Sequence, residues 1–199
     1  MAEAGIGRVL VASLHQAIAD ILPTRLEFYE NWLSPDGLRN GTIGLAPLAA
    51  VLSFLRLEGD AYGLVTTRAG EYAADWTMAA LPDVGRAIAR RLPTWARARV
   101  ALQLSRRMVH DSYIGSRAIV RVRRGVANVD IRASIFCGVR ERSAEPRCGF
   151  YAAAIGRFLH LLGATGEVEV RRCRATGDSG CILTVALRPR PGAGAGEAP

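Results

Sequence analysis

The sequence predicts an α+β protein in which a helical N-terminal half packs on one side of an antiparallel sheet. Three observations lead to this class. Apolar residues recur at helical spacing from about residue 6 to residue 110. From Ser116 onward the spacing changes to the alternation typical of strands, in two hairpins separated by one further helix. At 199 residues the chain is too short for two full-sized domains, so we expect one domain over 1–188.

The N-terminal half contains most of the predicted helices. Apolar residues from Ile6 to Ile21 fit a helix that Pro23 ends. A second short helix is predicted over 26–33, stopped by Ser34-Pro35-Asp36-Gly37, a sequence that favours a turn. Further helices are expected over 45–57, 67–81, 83–92 and 94–110, the first of them almost wholly apolar.

Two hairpins are predicted in the last third of the chain. Residues 117–123 and 126–136 form the first, joined by the tight Arg124-Gly125 turn. Residues 167–174 and 181–187 form the second, joined across the glycine-containing segment 177–180. Between the hairpins we expect a loop over 140–147 and a helix over 149–162. The Pro, Gly and Ala composition of 189–199 predicts a disordered tail.

Charge and hydropathy narrow the classes of function. The net charge is +8, and all 26 basic residues are arginine, which fits either the codon bias of a GC-rich genome or an anionic partner. The arginines spread along the chain, which argues against a nucleic-acid stripe. No apolar run reaches the roughly 18 residues that a membrane span needs, and the start does not resemble a signal peptide. We therefore expect a cytoplasmic protein whose cysteines are thiols or metal ligands.

Three cysteines form the most informative pattern. Cys148 precedes a predicted helix, Cys173 lies at the end of a strand, and Cys181 begins the next strand. This arrangement can bring three thiolates together, and zinc takes three or four such ligands. The alternative interpretation is three small buried apolar side chains, as free cysteines often are.

Several segments resemble the 4-vinyl-reductase domain family. The signature is Cys148-Gly-Phe-Tyr-Ala-Ala-Ala-Ile-Gly156, followed by a strand that ends in Cys173-Arg-Ala-Thr-Gly-Asp-Ser-Gly-Cys181. Upstream, 69–75, Leu92-Pro93 and 110–116 are similar to the stand-alone members associated with bacteriochlorophyll synthesis. The resemblance is specific over about 145–187 and softer over 66–144. Residues 1–65 are therefore expected to be a helical extension.

The resemblance implies a fold shared with the TRAPP vesicle-tethering subunits, with a hydrophobic ligand pocket between helices and a curved sheet. In related phenol-sensing activators the domain also holds a structural zinc. There the ligands are the three signature cysteines and a glutamate three residues before the second cysteine. In this sequence that position is Val170, which cannot bind a metal. Glu169 and Cys137 are the two candidates to replace it.

Other side chains are candidate walls of the ligand pocket. Pockets are mostly apolar with a few polar groups, and this description fits a dispersed set of aromatic residues and one histidine. Each also has a structural alternative: the aromatic residues are candidate core residues, and the histidine is a candidate helix cap. The candidates are His110, Trp76, Trp95, Phe136 and Tyr151.

Three functions follow from the sequence. The first is a stand-alone sensor or carrier domain that binds a hydrophobic or tetrapyrrole-like molecule. The second is an enzyme or accessory protein in the vinyl reduction of a chlorophyll precursor. The third is a homodimeric protein-interaction scaffold. No nucleotide, flavin or catalytic-triad motif is present, so we expect a binding role rather than independent catalysis.

Overall fold

A computed structural model describes residues 6–138 and 142–187, so the predicted tail over 189–199 lies outside the described residues. The helices come first and the strands lie in the C-terminal part, which confirms the α+β class. The helices are α1 (Arg8–Ile21), α2 (Leu26–Glu30), α3 (Pro35–Asn40), α4 (Leu45–Leu55), α5 (Ala61–Ala79), α6 (Asp83–Arg91), α7 (Thr94–Ser112) and α8 (Gly149–Leu161). The strands are β1 (Arg117–Arg123), β2 (Val126–Arg132), β3 (Gly166–Arg172) and β4 (Cys181–Leu187).

The four strands form one antiparallel sheet in the order β1-β2-β4-β3. Arg124 and Gly125 join β1 to β2 with φ angles of 50° and 76°, the left-handed conformation that a two-residue hairpin turn requires. On the central strands alternate side chains are buried, as where Val129 of β2 faces Leu183 of β4. One face of the sheet therefore carries the core, while Asn128 on the opposite face is exposed.

The helices stack in layers on the buried face of the sheet. α7 packs against β1 and α8 against β3, and these two helices also contact each other. α5 packs on α8, and α1 packs on α5. The buried stripes of α1, α5, α7 and α8 join the sheet in one continuous hydrophobic core.

A close helix contact lies between α5 and α8, at Gly70. A Cβ atom at this position would lie 2.2 Å from the carbonyl oxygen of Phe150 and 3.1 Å from the Cβ of Ala153. Real Cβ atoms do not approach a backbone oxygen so closely, so a larger residue here would push the two helices apart. Gly70 thus sets the distance between α5 and the first turn of α8.

Several predicted boundaries differ from the structure: α5 begins at Ala61 and not at residue 67, and β3 ends at Arg172 and not at residue 174. The segment predicted as a turn at Ser34 begins a helix instead, because the Ser34 hydroxyl caps α3 by accepting the Gly37 N–H at 3.1 Å and Pro35 occupies the first turn. The second strand ends at Arg132 rather than Phe136. Ala133 takes a φ of 54°, which breaks the strand and leads into a 3₁₀ turn over Ile135–Cys137.

We predict that Gly70→Ala destabilises the protein by about 1–3 kcal/mol, since the added methyl overpacks the α5–α8 contact. Gly63→Ala is the matched control on the same helix, because a Cβ there meets nothing within 4 Å. It should stabilise by up to about 1 kcal/mol through helix propensity. Urea unfolding of the two variants measures both effects. Stabilisation by both substitutions would contradict the close contact.

Candidate metal centre

Four cysteines meet where the ends of four elements converge. Cys137 ends the 3₁₀ turn after β2, and Cys148 is the residue before α8. Cys173 follows β3 directly, and Cys181 is the first residue of β4. All four are buried free thiols. The cluster contains the three cysteines of the sequence signature and Cys137, one of the two candidates for a fourth ligand.

The four sulfur atoms lie close enough to share one metal ion. All lie within 4.8 Å of one another. The Cys137 sulfur is 3.2 Å from that of Cys148 and 3.4 Å from that of Cys173, and the Cys148 and Cys173 sulfurs are 3.5 Å apart. A tetrahedral ion with metal–sulfur bonds of about 2.3 Å needs sulfur–sulfur edges of about 3.8 Å. The four cysteines therefore can bind a metal ion.

Local hydrogen bonds favour negative charge at this cluster. The Cys137, Cys148 and Cys181 thiols lower the pKa of Cys173 well below its ordinary value by hydrogen bonding to its thiolate. The Arg147 amide also donates to the Cys173 sulfur at 3.3 Å. The Arg174 amide donates in the same way to the Cys181 sulfur, at 3.5 Å. Backbone N–H groups that point at a thiolate stabilise it, as a metal site requires.

The pKa of Cys148 shifts in the opposite direction to that of Cys173. Its hydrogen bonds to the thiols of Cys137, Cys173 and Cys181, together with burial, raise its pKa far above the ordinary value. The pKa values of Cys173 and Cys148 therefore shift in opposite directions, because the two thiols share the same hydrogen bonds. A bound cation would replace the remaining protons, because metals coordinate the thiolate form.

The glycine-containing turn between β3 and β4 is fixed by its own side chains. The Asp178 carboxylate accepts the Cys173 N–H at 3.0 Å and the Thr176 hydroxyl at 3.2 Å. The Ser143 N–H donates to the Ala175 carbonyl at 2.7 Å and joins this turn to the segment before α8. These bonds hold Cys173 in place, together with the turn that leads to Cys181.

Glu169 is not part of the cluster. The expectation that it shares a face with Cys173 assumed a regular strand, but β3 has a bulge between Val170 and Arg172. The extra residue reverses the alternation after Val170, so Cys173 lies on the core side with Val170 while Glu169 points outward. There its carboxylate pairs with Arg171 at 3.0 Å. Cys137 is therefore the fourth residue of the cluster.

The five residues predicted to line a ligand pocket are not brought together. Phe136 and Tyr151 are buried in the core, with ring centroids 5.4 Å apart. Trp76 is half-buried and stacks on Tyr72 on α5. Trp95 is exposed at the start of α7, and His110 is exposed near the end of that helix. A single pocket formed by these five side chains is not present.

A different cleft opens between α1, α5 and α7. It has a volume of about 420 Å³. Its lining is mainly apolar, with the charged side chains of Arg8, Arg107 and Asp111 among it. The apolar lining includes Leu10, Ala73, Leu81, Leu104, Met108 and Phe150. None of these residues is among the predicted pocket residues. The sequence pattern that indicates the cleft is a pair of apolar residues and a pair of charged residues, each four apart on α7: Leu104 with Met108, and Arg107 with Asp111.

No protein-family model matches this chain, and no curated protein matches it significantly in sequence. The assignment of a function therefore depends on the geometry of the cysteine cluster and of the cleft.

A cobalt(II) titration of the reduced protein tests which side chains form the cluster. We predict that Cys137→Ser weakens Co²⁺ binding by about 100-fold, because it removes one of the four ligands that together supply the binding free energy of a thiolate site. Glu169→Gln is the control and should leave the affinity unchanged, since Glu169 points away from the sulfurs. The thiolate-to-cobalt absorption band reports binding. The opposite pattern, with Glu169→Gln weakened and Cys137→Ser intact, would refute the four-cysteine set.

Proposed function

We propose that this protein is a small-molecule-binding domain that holds an apolar ligand with an acidic group in the cleft between α1, α5 and α7. The cleft itself is the observation that carries this proposal. Its volume of about 420 Å³ falls within the range of about 300–1,000 Å³ that is typical of ligand pockets. Its apolar walls suit a hydrophobic ligand body.

The charged side chains of the cleft favour an anionic group on the ligand. Arg8 and Arg107 contribute two guanidinium groups, and Asp111 contributes one carboxylate, 3.5 Å from Arg107. The surplus of positive charge supports recognition of a carboxylate, which a guanidinium binds with two parallel hydrogen bonds.

Membership of the 4-vinyl-reductase-type family is part of this proposal. It is supported by the segments 148–156 and 168–181 and by the convergence of their three cysteines with Cys137. The resemblance implies a hydrophobic or tetrapyrrole-like ligand. A tetrapyrrole with carboxylate side chains combines the apolar body and the acidic group that the cleft favours.

We also infer that the cysteine cluster holds a zinc ion with a structural role. Four thiolates complete a tetrahedron and leave no open position for a substrate, which is the pattern of structural zinc sites. Separations below 4.8 Å between the sulfurs suit one ion rather than a multi-iron cluster. The ion would stabilise the junction of β2, β3, β4 and α8.

Zinc should copurify with the protein and stabilise it. We expect one zinc per chain by native mass spectrometry, and a lower melting temperature after the metal is removed with a chelator. Zinc affinity should fall as the pH falls, because protons compete for thiols such as Cys148, whose pKa is raised in the metal-free cluster. An apo mass that zinc addition does not change would refute the metal assignment.

Ligand binding can be tested with protoporphyrin IX, a tetrapyrrole that carries two carboxylates. A ligand at about 100 times its Kd should add about 2.7 kcal/mol of stability, or roughly 5–10 °C in melting temperature for a chain of this size. Arg107→Gln should weaken binding by about 10- to 150-fold, because hydrogen bonding to a charged group contributes about 1.5–3 kcal/mol.

Two controls separate the cleft from general charge effects. Arg106→Gln removes the neighbouring arginine of α7, which does not line the cleft, and should leave affinity unchanged. The dimethyl ester of protoporphyrin should be insensitive to Arg107→Gln, because it lacks the carboxylates. Equal losses in both arginine variants would contradict recognition in the cleft.

A further inference from the structure

α6 is an amphipathic helix whose apolar side chains face solvent. Val84 is 70% exposed and Ile88 is 57% exposed. They lie four residues apart and therefore on the same side of the helix. Surface helices normally turn such residues towards the core, so this orientation requires an explanation.

Polar interactions fix α6 in this orientation. Arg86 donates to the carbonyl oxygen of Ala79 at 3.0 Å and pairs with Asp83. Ala89 is the buried residue of the helix. The inner side of α6 is thus attached to the end of α5 through Arg86, and the apolar side remains outside.

A tryptophan extends the apolar surface at the start of α7. Trp95 is 63% exposed, and the Arg99 guanidinium lies over its ring at 5.2 Å from the centroid. Tryptophan is enriched at membrane–water interfaces, where its ring lies among the headgroups. We call the surface formed by Val84, Ile88 and Arg91 of α6, together with Trp95 and Arg99 of the contacting helix α7, the α6 face.

The α6 face is cationic. Among residues 6–138 and 142–187, no carboxylate lies within ion-pair distance of Arg91 or Arg99. Asp83, the one acidic residue of α6, forms an ion pair with Arg86. A second copy of the chain placed on this face would bring its own arginines towards these arginines, which like-charge repulsion disfavours. An anionic, apolar surface is complementary to it.

We propose that the α6 face docks the protein on the surface of an anionic lipid bilayer. Val84, Ile88 and Trp95 enter the boundary between headgroups and acyl chains, while Arg91 and Arg99 pair with lipid phosphates. Apolar side chains beside arginines are the pattern of helices that lie in the membrane interface. No helix in the described part of the chain is long and apolar enough to cross a membrane. Docking at the surface needs no such helix, and this inference is independent of the ligand cleft.

Cosedimentation of the full chain with lipid vesicles tests the proposal. The protein should bind mixed phosphatidylcholine–phosphatidylglycerol vesicles, bind pure phosphatidylcholine vesicles far more weakly, and lose affinity as salt is added. Arg91→Gln with Arg99→Gln should weaken binding by about fivefold per arginine. Val84→Ser with Ile88→Ser should also abolish most binding, and both substitutions are at exposed positions that the fold does not need.

Matched controls remove the same chemistry from other surfaces. Leu57→Ser with Leu64→Ser replaces two exposed leucines, 82% and 60% exposed, outside the α6 face. Arg106→Gln with Arg123→Gln removes two exposed arginines and the same total charge. Both control variants should bind vesicles as the original protein does. Equal losses in the control and test variants would overturn the proposal, because binding would then not depend on the α6 face.

Tryptophan fluorescence gives a second readout. The variant Trp32→Phe with Trp76→Phe leaves Trp95 as the reporter, since the chain has three tryptophans. Its emission should shift to the blue on mixed vesicles and be quenched by brominated acyl chains. An unshifted spectrum on bound vesicles would overturn the proposal. So would a dimer in analytical ultracentrifugation that Val84→Ser with Ile88→Ser converts to a monomer, since a second copy would then cover the face.

Discussion

The close approach of α5 to the start of α8 is the constraint on which the rest of this structure depends. Because Gly70 has no Cβ atom, the Phe150 carbonyl oxygen can approach its backbone; a Cβ atom there would lie only 2.2 Å from that oxygen. Because Cys148 immediately precedes α8, the same contact positions one of the four thiols. The aromatic ring of Phe150 then stacks on Phe136, with centroids 4.7 Å apart, next to a second thiol at Cys137. A helix contact thereby determines where the cysteines meet.

The cysteine cluster lies where the ends of several elements meet. β2, β3, β4 and α8 all begin or end at this point, where backbone groups leave the regular ladder. Hydrogen bonds to sulfur and to the Asp178 carboxylate organise the backbone of these turns. A cation shared by four thiolates would join these ends directly, with a free energy that a small apolar cluster does not provide.

Phe150 also connects the cluster with the ligand cleft. It lines the cleft on one side and packs in the aromatic group beside the cysteines on the other. Pro82, the residue before α6, lines the same cleft, so the α6 face begins where the cleft ends. On the two proposals made above, a hydrophobic molecule in the cleft would lie close to a bilayer that contacts α6. This arrangement would suit the binding of a poorly water-soluble ligand.

The sequence alone determined the α+β class, the bounds of β1 and β4 and the three signature cysteines, because these depend on local periodicity, turn residues and spacing. The tertiary structure decided the rest. A bulge in β3 reversed the alternation and excluded Glu169, and the φ of Ala133 brought Cys137 back towards the cluster. The predicted pocket residues separated because exposure depends on which helix face the neighbours cover. Bulges, positive φ angles and helix packing arise from long-range contacts, which no local pattern contains.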